Sequence, residues 1–156
     1  MGNPDYIVYA EGGYNREVKK GAYARIVLDG KTRDIIDTAS KTLGDAKDLE
    51  AHIISITSAI THLPDHCSVL VYTDAMPMIE GLVLGREIKV RKWLIATFHK
   101  RVKEKGIECK IEWRGLRLND PLTHLCWQGC SAEVGADFES YYERWGKFGF
   151  HKPKME

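Results

Sequence analysis

The sequence predicts one α/β domain built on a mixed sheet, with its elements in the order βββαβααβα. Three observations predict it. Residues 6–40 hold three consecutive runs rich in β-branched and aromatic residues, separated by turn signals. The pattern then changes to helical spacing over residues 44–63. A continuous apolar run, "CSVLVYT", follows, as expected of a strand covered on both faces by helices. At 156 residues with 44% hydrophobic content the chain can bury one real core, so no second domain is expected. The domain is expected over 1–145, with a polar tail, "GKFGFHKPKME", over 146–156.

Each element has its own local reason. "YIVYAE" reads as the first strand, and "GAYARIVLDG" and "TRDIIDTAS" as the second and third, joined by the hairpin signal "DGK". Three strands in succession predict an antiparallel meander. In the first long helix Leu49, Ile53, Ile56, Ile60 and Leu63 recur at steps of four and three, with Asp45 as N-cap and Pro64 as terminator. "CSVLVYT" is the fourth strand, "PMIEGLVLG" a short helix stopping at Gly85, and "VRKWLIATFHKRVKEKG" a longer amphipathic helix closing on Gly106. "IECKIEWRG" is the fifth strand, and "PLTHLCWQGCSAEVG" a last helix opened by Asp120 and Pro121. The two later strands are expected to run parallel to the first, with helices on both faces of the sheet.

Composition excludes more than it selects. With 23 Lys plus Arg against 22 Asp plus Glu, any nucleic-acid role must rest on where charges lie and not on their sum. "MGNPDYIVYA" lacks a basic region followed by an apolar one, and no apolar run approaches membrane-spanning length, so a soluble cytoplasmic protein without a membrane partner is expected. Cys67, Cys109, Cys126 and Cys130 fall in or beside apolar segments and read as buried reduced thiols, because the paired C-x-x-C knuckles of structural zinc are missing.

Three acids stand where strands and helices could bring them together. Glu11 closes the first strand, Asp74 closes the fourth, and Glu50 lies on the flank of the first helix's buried stripe. If the fourth strand pairs beside the first, Glu11 and Asp74 end side by side and Glu50 leans over them. Such a cluster repels itself unless a divalent cation neutralises it, and hard oxygen ligands suit Mg²⁺ or Mn²⁺.

The acids and their surroundings resemble the type 1 ribonuclease H family. "VYAEGG" is similar to the family's first strand with its acid and glycine, "DLEAH" to its helix acid, "VYTDAM" to its Thr-Asp after a buried strand, and "CKIEWRG" to its last strand. The separations, 39 residues from Glu11 to Glu50 and 24 from Glu50 to Asp74, also fit, over about residues 5 to 135. The resemblance implies a ribonuclease H-like fold and a metal-dependent nuclease cutting RNA in RNA/DNA hybrids. Glu11, Glu50 and Asp74 would hold two divalent ions about 4 Å apart. Two departures stand out. Glu11 takes the place of an Asp, and Trp127 occupies the aligned position of the fourth acid, with Asp120 or His124 as substitutes.

The segment from Lys89 to Lys105 is strongly basic. The resemblance assigns Lys89, Arg91, Lys92, Lys100 and Arg101, with Trp93 and the strand-end Arg114, to the backbone of a hybrid or duplex, where they would supply affinity without sequence preference. Two other readings are open: a catalytically silent nucleic-acid-binding or scaffolding domain, and an unrelated small-molecule α/β enzyme.

Overall fold

The computed structural model describes residues 2–135, 142–143, 146–148, 151 and 153. Three antiparallel strands open the chain: β1 (Tyr6–Asn15), β2 (Lys20–Asp29) and β3 (Ile35–Leu43). The turn between β2 and β3 is set by Asp29, whose Oδ1 accepts from the amides of Lys31 and Thr32 at 2.8 and 2.9 Å. Next come α1 (Asp48–His62), β4 (Ser68–Thr73), a single helical turn α2 (Met76–Met78), α3 (Lys92–Lys105), β5 (Glu108–Trp113) and α4 (Pro121–Glu133). The spatial order is β3-β2-β1-β4-β5, with β4 parallel to both β1 and β5. This is the mixed α/β arrangement expected from the sequence.

Two apolar layers sandwich the sheet. On one face Val8, Ala10, Val69 and Val71 meet Ile53, Ile56 and Ile60 of α1 and Leu94 and Phe98 of α3. On the other, Ile7, Tyr9, Ala24 and Ile26 meet Cys126, Cys130 and Val134 at α4. The step of two along β1 supplies both faces, and the step of three and four along α1 fills the first. Ile56 is fully buried at 0% exposure. Ile56→Ala is expected to cost about 2–5 kcal/mol and to lower Tm by about 10 °C, read by calorimetry.

Several local expectations shift. Strand β1 continues four residues past Glu11 to Asn15, so Glu11 lies inside the strand and does not close it. The α1 N-cap is Lys47, with no side-chain cap, in place of Asp45. The helix expected over 77–85 is one α turn followed by a π-helical turn, Ile79–Val83. All four cysteines are free thiols. Among the described residues no helix is long and apolar enough to cross a membrane. The expected domain end at residue 145 lies outside the described residues, and of the expected tail Gly146–Phe148 form a 3₁₀ turn.

Candidate metal centre

Parallel pairing of β1 with β4 builds the centre. Tyr9 lies opposite Tyr72, and continuing that register puts Glu11 level with Asp74. Alternation along β1 carries Glu11 to the α4 side with Ile7 and Tyr9, while Gly12 faces α1. A Cβ at Gly12 would stand 2.3 Å from the His52 amide nitrogen and 2.5 Å from the Ala51 carbonyl carbon, so only glycine lets α1 lie this close to β1. The glycine after the acid is therefore a packing requirement, and it delivers His52 to the acids. Ligand atoms of Glu11, His52 and Asp74 all lie within 4.8 Å of one another.

The electrostatics of the cluster are unbalanced. Glu11 is 1% exposed, and its Oε2 has no hydrogen-bond partner. Burial, reinforced by the charge of Asp74, pushes the Glu11 carboxyl well above its ordinary pKa. Asp74, at 20% side-chain exposure, is the more accessible acid. Its backbone is held from β5, where Trp113 Nε1 donates to the Asp74 carbonyl oxygen at 3.1 Å. A buried carboxylate oxygen without a donor, beside a second carboxylate, fits a divalent cation: both groups offer hard anionic oxygens, and the cation would relieve their repulsion.

The helix contributes different residues from the one expected. Glu50 is held away from the cluster by Arg91: the Arg91 amide and Nε donate to Glu50 Oε2 at 2.8 and 3.0 Å, and Nη2 donates to Oε1 at 3.0 Å. Burial pushes the Glu50 carboxyl up, but Arg91 outweighs it and holds the group below its ordinary pKa. The α1 residues that approach the cluster are Asp48 and His52, one turn apart, with His52 Nε2 at 3.9 Å from Asp48 Oδ1. Two residues along a helix turn a side chain by about 200°, so Glu50 and His52 cannot share a face. The i,i+4 pair Asp48–His52 was the available signal. Burial, partly offset by His52, raises the Asp48 pKa.

Among the described residues no carboxylate completes the set from the α4 side. Cys126 and Cys130 are buried there, donating to carbonyl oxygens of Ala24 and Ala22 at 3.3 and 3.2 Å. His124 is committed on both ring nitrogens, Nδ1 to the Tyr142 hydroxyl at 2.5 Å and Nε2 to the Leu116 carbonyl at 2.8 Å. Burial pushes its pKa below the ordinary value. Asp120 caps α4 through the amides of Leu122 and Thr123 and pairs with Arg114. Trp127 packs edge-on against Tyr142.

The expected nucleic-acid residues divide by what they touch. Arg91 is committed to Glu50 and lies over the Trp93 ring, 5.6 Å from its centroid. Arg114 is committed to Asp120 and lies over Tyr72. Lys100 sits 3.7 Å from Glu104. Lys89, Lys92 and Trp93 are exposed, and Arg101 is half-buried.

No protein-family model matches the sequence, and no curated protein matches it significantly. Solved structures do. The N-terminal RNase H domain of Rv2228c from Mycobacterium tuberculosis, solved as a fusion with maltose-binding protein, superposes with a TM-score of 0.69 at 14% identity, over 88% of this chain and 99% of that chain. RNase H1 from the halophilic archaeon Halobacterium salinarum NRC-1 gives a TM-score of 0.69 at 9% identity, over 83% of this chain and 96% of that one. The chain has a ribonuclease H-like fold. At these identities the likeness carries architecture alone.

Proposed function

We propose that this domain is a divalent-metal-dependent nuclease that hydrolyses RNA phosphodiester bonds in RNA/DNA hybrids. The observation that carries the reading is the buried, unpartnered Glu11 Oε2 beside Asp74, where β1 runs level with the C-terminal end of the parallel β4. Glu11 and Asp74 would hold Mg²⁺ or Mn²⁺, which would supply a polarised water and charge stabilisation for the leaving 3′ oxygen. Glu11 supplies a fixed, water-excluded oxygen, and Asp74 the oxygen nearest to solvent and substrate. Trp113 holds the Asp74 backbone, which fixes the point on β4 from which the carboxylate extends. Glu50 and Arg91 clamp α1 to the segment entering α3, which fixes the basic helix relative to the acids.

The test is cleavage of an end-labelled RNA/DNA hybrid with Mn²⁺, with Mg²⁺ and with chelator. Cleavage confined to the RNA strand, stronger with Mn²⁺ and absent with chelator, is the expected result, since Mn²⁺ accepts the incomplete oxygen shell more readily. A second reading, a silent nucleic-acid-binding domain, draws on α4, which offers thiols and a doubly bonded His124 where a further carboxylate would complete the shell. Binding without cleavage at any Mn²⁺ concentration would favour it.

Both readings need a basic face. Replacing Lys89, Lys92 and Arg101 together by Ala is expected to weaken hybrid binding without regard to sequence. It should also flatten the plot of log affinity against log salt by up to about 2–3 units, near 0.9 per lost phosphate contact. An unchanged slope in fluorescence anisotropy titrations would make these three residues a solvated surface.

A further inference from the structure

We infer that the His52 imidazole holds the place of a second divalent ion, so that this site takes one ion and not two. The inference rests on the metal reading above and concerns its stoichiometry. The ring stands among three carboxylates, with Nδ1 3.8 Å from Glu11 Oε2 and Nε2 3.9 Å from both Asp48 Oδ1 and Asp74 Oδ1. Two ions about 4 Å apart between the same acids would need the volume that the ring fills. The ring is not free to swing out. Its side chain is 5% exposed, it stands on a helix packed against Gly12, and the Gly12 amide donates to Nδ1 at 3.0 Å.

That last hydrogen bond also decides what the ring can do. Nδ1 has a single in-plane lone pair, and the Gly12 N–H takes it, so in the neutral ring the proton resides on Nε2. Nε2 therefore turns an N–H toward Asp48 and Asp74 and has no lone pair for a metal. For Nε2 to ligate, its proton would have to move to Nδ1, where it would meet the Gly12 N–H head on. Metal-bound histidines have the opposite arrangement, with the second nitrogen donating to an acceptor. His52 thus serves the cluster as a buried space-filler that offers Asp48 and Asp74 an N–H and no lone pair. Glu11 Oε2 stays unpartnered, and together with Asp74 it makes the seat of one cation.

The experiment is an Mn²⁺ titration in which unbound ion is counted by electron paramagnetic resonance, without substrate or activity. The wild-type chain is expected to bind one Mn²⁺. His52→Ala is expected to bind two, because removing the ring opens the space between Glu11, Asp48 and Asp74. His52→Gln, which refills that space, is expected to return to one. Two ions in the wild type would overturn the inference while leaving the metal site standing. Loss of the single ion in His52→Ala would also overturn it, by making the ring a ligand. No Mn²⁺ on the folded wild type would overturn the metal reading along with it. Circular dichroism checks each variant's fold, and if His52→Ala does not fold, the wild-type count decides.

Discussion

Asp74→Asn is expected to lower Mn²⁺-dependent cleavage of an RNA/DNA hybrid by more than about 100-fold while leaving the fold intact. Even residues that merely support a metal ligand typically cost 10–100-fold on removal, so an acid that supplies an anionic oxygen should cost at least the upper end of that range. Asn preserves the shape of Asp74 and removes its charge. What holds residue 74 is its backbone carbonyl, bonded to Trp113 Nε1, and the substitution leaves that untouched. The neighbouring strand end is likewise pinned by the Arg114 amide donating to the Thr73 carbonyl at 2.8 Å. In chelator the variant should therefore melt no lower than the parent, because losing this charge also relieves the repulsion on Glu11. Single-turnover cleavage measures the loss, and retention of more than about a tenth of the parent rate would remove Asp74 from the chemistry.

Glu11→Gln is expected to raise stability and, like Asp74→Asn, to lower activity. Without divalent ions a buried carboxylate with an orphaned oxygen is a liability, and unsatisfied buried polar groups cost about 1–3 kcal/mol. An amide can stay neutral there, so the variant's Tm should rise by about 3–10 °C at neutral pH. The pH dependence has a definite sign. Because the Glu11 pKa is raised in the folded state, the native chain keeps a proton that the unfolded chain has already lost. Stability is therefore full below the ordinary carboxylate range and declines as pH rises toward the raised value of Glu11. Burial gives Asp48 a shift of the same sign. In chelator the parent should lose Tm as pH rises from about 5 to 8, and Glu11→Gln should lose less. Mn²⁺ should restore the parent's Tm by binding the native state, with little effect on the variant. A variant no more stable than the parent at any pH would mean that Glu11 is satisfied by something other than a cation.

Much of the architecture was legible because it follows from local periodicity. The "DGK" turn sets the β2–β3 hairpin, the stepped Ile and Leu residues of α1 set its buried face, and the apolar run of β4 declares a strand, although only its alternate residues Val69, Val71 and Thr73 are buried and the face of Leu70 and Tyr72 is partly open. Glu11 and Asp74 were legible for the same reason: once β4 lies beside β1, their register is fixed. The helix residue was not. Hydrophobic steps define which side of α1 faces the sheet, but not which flank meets the strand ends, and a shift from position 50 to positions 48 and 52 exchanges one flank for the other. Arg91 then gives Glu50 a partner 41 residues away that no local pattern announces. Trp113 was missed for a similar reason, since its bond to Asp74 exists only because β5 is the neighbour of β4. The thiols of Cys126 and Cys130 were read correctly as buried, though their bonds to β2 carbonyls depend on how α4 settles on the sheet.

The pairing of β1 with β4 also governs the order of assembly. The meander β1-β2-β3 joins residues close in the chain and can form early, whereas β1 meets β4 only by closing a loop of about 60 residues that contains all of α1. Glu11 and Asp74 are strangers until that closure. The cost of holding them together, as repulsion or as the proton that Glu11 must keep, is thus absent from the unfolded chain and reaches full strength only in the finished sheet. A cost that grows past the barrier acts on the rate of unfolding and scarcely on the rate of folding. The acids set how long the folded chain persists, and a bound cation would act as a brake on its opening.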